Sequence, residues 1–189
     1  MDTHVARASS TLAKLACVLL VIICMGLLFA PWRAQAEAVN LVTCTGTHTT
    51  NWSPGLTNIS QTIVVSTTSS WNPCVSLSFP LVTSASSSES FQSTFSCESL
   101  LLPTSSRTWV ISWSDGVTST YKFNATINNI GTLNTTIVGV GVIVDGRYKG
   151  ANATSTFLLG NLQSTLNDSC NTATGVTRVS GLSTLLITP

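Results

Sequence analysis

Catalysis needs a nucleophile, a base or a metal-binding cluster, and few residues here can supply one. The chain has two histidines, His4 near the N-terminus and His48. A Ser-His-Asp arrangement can be drawn around His48, but serine is so abundant that the pattern carries no information. Neither a GxSxG nucleophile elbow nor an HExxH motif is present. From Glu37 onward the carboxylates are Glu37, Glu89, Glu98, Asp115, Asp145 and Asp168, each alone in its stretch of sequence. Paired acid–base chemistry is therefore not signalled. The run Gly139-Val-Gly-Val-Ile-Val lacks the third glycine of a dinucleotide fingerprint, and no helix pattern follows it. His48 reads as a surface strand residue. No catalytic, cofactor-binding or metal-ligating residue is expected, and the chain reads as non-enzymatic.

The cysteines point to covalent structure instead. Cys17 and Cys24 lie in an N-terminal apolar run, leaving Cys44, Cys74, Cys97 and Cys170. No CxxC spacing occurs, so a zinc site is not expected. An even number of cysteines in an exported chain predicts two disulfides. Cys44 and Cys97 lie in strand-like runs, Cys74 and Cys170 in turn-like ones. That favours Cys44–Cys97 with Cys74–Cys170, and the two other pairings remain open.

Binding is the remaining possibility, and aromatic side chains are the candidates. Trp52 and Trp71 sit beside Asn, Ser and Pro, where loops are expected. Both read as half-buried rim residues, with stacking on a sugar or a partner protein as the sharper reading. Tyr148 lies in Arg147-Tyr148-Lys149, a predicted hairpin tip that is solvated or touches an anionic partner. The six Asn-x-Ser/Thr sites, at Asn51, Asn58, Asn124, Asn134, Asn152 and Asn167, are near the number chance gives for this composition.

Charge excludes other partners. Only 8% of residues are charged and the formal net charge is +1, against roughly a quarter charged in an ordinary soluble protein. A nucleic-acid binder needs a basic surface to displace counterions, so no nucleic-acid partner is expected. From Glu37 onward only Arg107, Lys122, Arg147, Lys149 and Arg178 are basic. About a third of that region is Ser or Thr, which favours strands and turns over helices.

The elements that must position these residues begin after a leader. Residues 15–30 are sixteen apolar or small residues, preceded by Arg7 and Lys14 and followed by Ala34-Gln35-Ala36 and Ala36-Glu37-Ala38. This is the pattern of a secretory signal peptide. As a helix the run would span roughly 24 Å, short of a ~30 Å hydrocarbon core. Residues 1–36 are thus expected to be a signal peptide and 37–189 a secreted domain, touching a membrane only through an uncleaved leader.

Past the leader, apolar residues recur with period two. Strands are expected at 39–44, 61–67, 74–79, 90–101 and 176–188, with Gly181 a bulge or bend and 84–90 a low-complexity loop. Residues 108–127 form the clearest unit. Trp109, Ile111 and Trp113 share one face, and Val117, Ser119, Tyr121, Phe123, Ala125 and Ile127 share another. A three-residue loop, Ser114-Asp115-Gly116, pairs Trp109 with Tyr121 and puts both apolar rows on one side, with Gly116 left-handed. In a second hairpin, Val138, Val140, Val142 and Val144 point one way. Gly139 and Gly141 point the other way and admit a close neighbour. The expected fold is all-β: a single antiparallel β-sandwich or barrel-like domain of nine or ten strands, stapled by disulfides.

The segments Thr43-Cys44-Thr45-Gly46-Thr47 and Trp52-Ser53-Pro54-Gly55-Leu56-Thr57, with Pro73-Cys74, Ser96-Cys97 and Trp113-Ser114-Asp115-Gly116, resemble a group of small exported bacterial proteins. The resemblance implies a secreted, disulfide-bonded β protein and no particular reaction. The functional expectation is a secreted or cell-surface protein with a structural, adhesive or binding role. One alternative is a glycan-binding module using Trp52, Trp71 or Tyr148. The other is a fimbrial-type subunit with residues 39–47 as the donated strand.

Overall fold

The alternation in residues 108–127 sets the pattern for the domain. In the computed structural model, β4 (Arg107–Trp113) buries Trp109, Ile111 and Trp113. Its partner β5 (Thr118–Ile130) buries Ser119, Tyr121 and Phe123 on the same side. Trp109 pairs with Tyr121 and Arg107 with Phe123. The turn is the expected three-residue one. The Trp113 N–H donates to the Val117 carbonyl at 2.9 Å, and Gly116 has a φ of 83°.

The structure describes residues 41–77, 81–99, 106–130, 134–160 and 168–189. The expected leader at 1–36 lies outside the described residues. The other strands are β1 (Val42–Leu56), β2 (Gln61–Ser76), β3 (Ala85–Phe95), β6 (Asn134–Gly146), β7 (Asn152–Gly160) and β8 (Val176–Thr188). Each pairs antiparallel with the next, and β8 closes on β1. The domain is therefore an eight-stranded closed barrel, which corrects both the sandwich alternative and the count of nine or ten strands.

One misread segment accounts for the strand count, and two others change the local reading. The expected strands at 61–67 and 74–79 are largely one strand, β2, which runs through Trp71, Asn72 and Pro73. Cys44 pairs with Cys74 and Gly46 with Trp71, so Asn72 and Pro73 together oppose Thr45. This bulge accommodates a proline, which cannot donate to the ladder. The serine-rich stretch 84–90, expected as a loop, instead enters β3, which pairs with β2 from Ala85↔Trp71 to Phe95↔Gln61. Gly181 is neither bulge nor bend, since it pairs in register with His48. A Cβ there would collide with the Leu158 carbonyl of β7. Gly139 and Gly141 do face a close neighbour. A Cβ on Gly141 would meet the Lys122 carbonyl of β5, while Val140, Val142 and Val144 face outward and are exposed.

All four described cysteines are disulfide-bonded, but the favoured pairing is corrected to Cys44–Cys74 and Cys97–Cys170. Cys44 and Cys74 are cross-strand neighbours, both pointing inward, with Cα atoms 4.0 Å apart. Cys97, just after β3, reaches Cys170, before β8, at the other end of the barrel. Strand-like or turn-like surroundings do not report register, and register decided the pairing.

The interior holds two clusters. One, at the Cys44–Cys74 end, is built around Trp71, Trp113, Tyr121, Ile143 and Ile187. The other, at the Cys97–Cys170 end, contains Trp52, Leu56, Ile63, Val65 and Leu159. Inward serines serve the first cluster. The Trp71 Nε1–H donates to Ser183 Oγ and the Trp113 Nε1–H to Ser119 Oγ, both at 2.8 Å. The Tyr121 hydroxyl donates to the Gly139 carbonyl at 2.8 Å, and burial pushes its pKa up to about 12. Part of the serine content is thus the means by which large polar aromatics are buried without orphaned donors.

Candidate functional site

His48 lies between the two clusters. Thr43, Thr45 and Thr49 alternate with it on β1, so parity turns its ring inward with Val42 and Cys44. It is 6% exposed, which corrects the expectation of a surface residue. Its Nδ1 is 2.8 Å from Ser69 Oγ and its Nε2 is 3.0 Å from Thr50 Oγ1. The ring centroid lies 4.2 Å from that of Phe157 and 5.6 Å from that of Trp109. Burial lowers its pKa from 6.5 to about 4, so the imidazole is neutral at physiological pH. Both ring nitrogens meet hydroxyls. No carboxylate among the described residues bonds to the ring.

A cavity of about 140 Å³ opens beside this histidine. Trp52, Val65, Trp109, Phe123, Phe157 and Leu159 are its buried walls. Thr50, Thr67 and Ala125, small side chains at inward positions, leave the space. On the β3–β4 side the lining residues Phe91, Phe95, Ser99 and Arg107 are half-buried, and so are Thr50, Ala125, Ile137 and Val179 on other strands.

The half-burial on the β3–β4 side has a structural cause. β3 and β4 pair only at Ala85↔Trp113 and Ser86↔Ser112, whereas the other neighbouring strands share long ladders. Beyond Ser86 the two strands separate. The Val110 N–H, without a backbone acceptor on β3, donates to Glu89 Oε1 at 2.8 Å. Arg107 at the start of β4 lies over the Phe91 ring, its guanidinium carbon 4.3 Å from the centroid.

The expected contact aromatics are dispersed. Trp71 is 0% exposed, so no external sugar can stack on it. Trp52 is 6% exposed and faces the cavity. The loop positions expected for both are corrected, because each continues a strand's inward row. Tyr148 is half-buried at the β6–β7 turn with a φ of 62° and packs edge-on against Trp113, 5.3 Å between centroids. Its neighbours are ion-paired, Arg147 with Asp115 and Lys149 with Asp145 at 3.4 Å. Sequence reasoning missed Phe91, Phe95, Arg107 and Phe157 as site residues. The signal for the first two was a period-two row, Ser87, Glu89, Phe91, Ser93 and Phe95, whose small polar members masked the pattern.

Among the described residues no group of three or more His, Cys, Asp or Glu side chains is placed to hold a metal ion. Comparison with protein-family models, with curated proteins and with solved structures finds no match for this chain.

Proposed function

We propose that this chain is an exported, non-enzymatic binding protein that holds a small apolar molecule inside its barrel. The observation that carries the reading is the aromatic-walled cavity of about 140 Å³ between the two interior clusters. An eight-stranded barrel is just wide enough to be filled by side chains or to hold one small ligand. An apolar cavity of roughly 150 Å³ stays dry and accepts a benzene ring. Export is supported by the leader-like residues 1–36, by the resemblance to small exported proteins, and by the two disulfides, which persist in oxidising compartments.

Toluene titration tests the reading. Trp52 and Trp109 line the cavity, so binding should change tryptophan emission and shift the aromatic NMR resonances of both, with saturation. Ala125→Phe places a ring in the same space and should abolish the response. Unmoved Trp52, Trp109 and Phe157 resonances up to the solubility limit of toluene would refute it.

A further inference from the structure

We propose that the molecule held in the cavity is a small monocarboxylic acid, with an apolar body of about six carbons between the aromatic walls and its carboxylate on Arg107. The inference rests on the cavity-binding reading above and adds the chemical class of the ligand.

Among the described residues lining the cavity, Arg107 is the only charged side chain. It is half-buried, and among the described residues no carboxylate lies within ion-pairing distance of it. The nearby acid on β3, Glu89, accepts the Val110 N–H. The guanidinium carbon sits over the Phe91 ring, 4.3 Å from its centroid, a cation–π contact that holds the group beside the cavity. Among the described residues no side-chain hydrogen bond or ion pair takes up its N–H donors. Two parallel N–H donors in a fixed plane match the two oxygens of a carboxylate, and a point-charge ammonium does not. A half-buried guanidinium held over an aromatic ring at the edge of an apolar cavity is the complement of an amphipathic acid.

The remaining polar lining does not compete for the anion. Both nitrogens of His48 are engaged by Ser69 and Thr50. Thr50, Thr67 and Ser99 bring hydroxyls without charge. The size of the body follows from the volume: about 140 Å³ matches the roughly 150 Å³ that takes one six-membered ring. Aromatic acids such as benzoate and aliphatic acids such as hexanoate share this chemistry.

The test compares dissociation constants of the full chain for benzoate, hexanoate and toluene, measured by NMR titration at neutral pH. In the wild type at least one acid should bind more tightly than toluene. Arg107→Gln should lower the ratio of acid to toluene affinity roughly tenfold to a hundredfold, the range of a hydrogen bond to a charged group. Arg107→Lys should recover only part of it, because it restores charge without the fork. Retained amide dispersion in the spectra of both variants shows that each is folded. An acid preference that survives Arg107→Gln unchanged overturns the proposal, as does the absence of any preference while toluene still binds. If neither toluene nor the acids bind, the cavity reading itself fails.

Discussion

Acid should destabilise this barrel through His48, and the size of the effect can be worked out. In an unfolded chain the imidazole has a pKa near 6.5, and in the barrel burial lowers it to about 4. Between those values the unfolded chain binds a proton that the folded chain does not. Stability is therefore complete above pH 6.5 and falls as the pH drops toward 4, levelling off below. The full gap corresponds to roughly 3 kcal/mol, and the part lost between pH 7.5 and pH 4.5 to about 2.5 kcal/mol. With 6% of its surface exposed, the ring is too deep for solvent to screen much of this.

Urea denaturation at pH 7.5 and pH 4.5 measures the loss. The same pair of measurements on His48→Gln removes it, while carboxylates elsewhere contribute equally to both proteins and cancel. The wild type should lose about 2.5 kcal/mol more than the variant over this interval. NMR titration of the His48 ring gives an independent reading. A midpoint near 6.5, or equal pH dependence in the two proteins, refutes the placement of His48 in a dry interior.

Two further outcomes follow from the fold. Peptide mapping without reductant should recover Cys44 linked to Cys74 and Cys97 linked to Cys170, and a Cys44–Cys97 peptide would contradict the strand register. Ser183→Ala leaves the Trp71 Nε1–H buried without its acceptor, so denaturant unfolding should show a loss of about 1–3 kcal/mol; an unchanged midpoint would mean that the indole has another partner.

The β4–β5 hairpin was legible because local rules agreed. A period-two row of large aromatics, an Asp-Gly turn and the demand that both rows be buried leave one register. β3 offered no such agreement. Its inward row mixes Ala85, Ser87, Glu89 and Ser93 with two phenylalanines, and its outward row is almost all hydroxyl, so composition imitates a loop. Long-range pairing to β2 overrides that local ambiguity. Trp52 and Trp71 failed for a related reason. Asn and Pro beside them signal turns in isolation, but Asn72 and Pro73 are absorbed by a bulge. The cavity was the least legible feature, because Thr50 on β1, Phe91 on β3, Arg107 on β4 and Phe157 on β7 meet only when the barrel closes.

Closure also explains how the chain tolerates an underpacked interior. Space that no side chain fills costs roughly 24 cal/mol per Å³ by analogy with core truncations. A sealed cavity of about 140 Å³ would cost roughly 3 kcal/mol on that scale, and entry of solvent past the half-buried lining makes the cost smaller here. The disulfides close segments with sequence separations of 30 and 73 residues, and chain-entropy arguments give each roughly 4 kcal/mol. Their positions bear on the cavity as much as their energy does. Cys44–Cys74 staples β1 to β2 beside the filled cluster. Cys97–Cys170 ties the segment following β3 to the segment preceding β8, holding the end of the barrel where β3 and β4 part. The long ladder to β2 sets the inward direction of Phe91 and Phe95, while the two-rung β3–β4 ladder leaves the β4 side of the cavity wall dependent on the tie. Reduction of Cys97–Cys170 should therefore loosen the half-buried wall before it unfolds the Trp71 cluster.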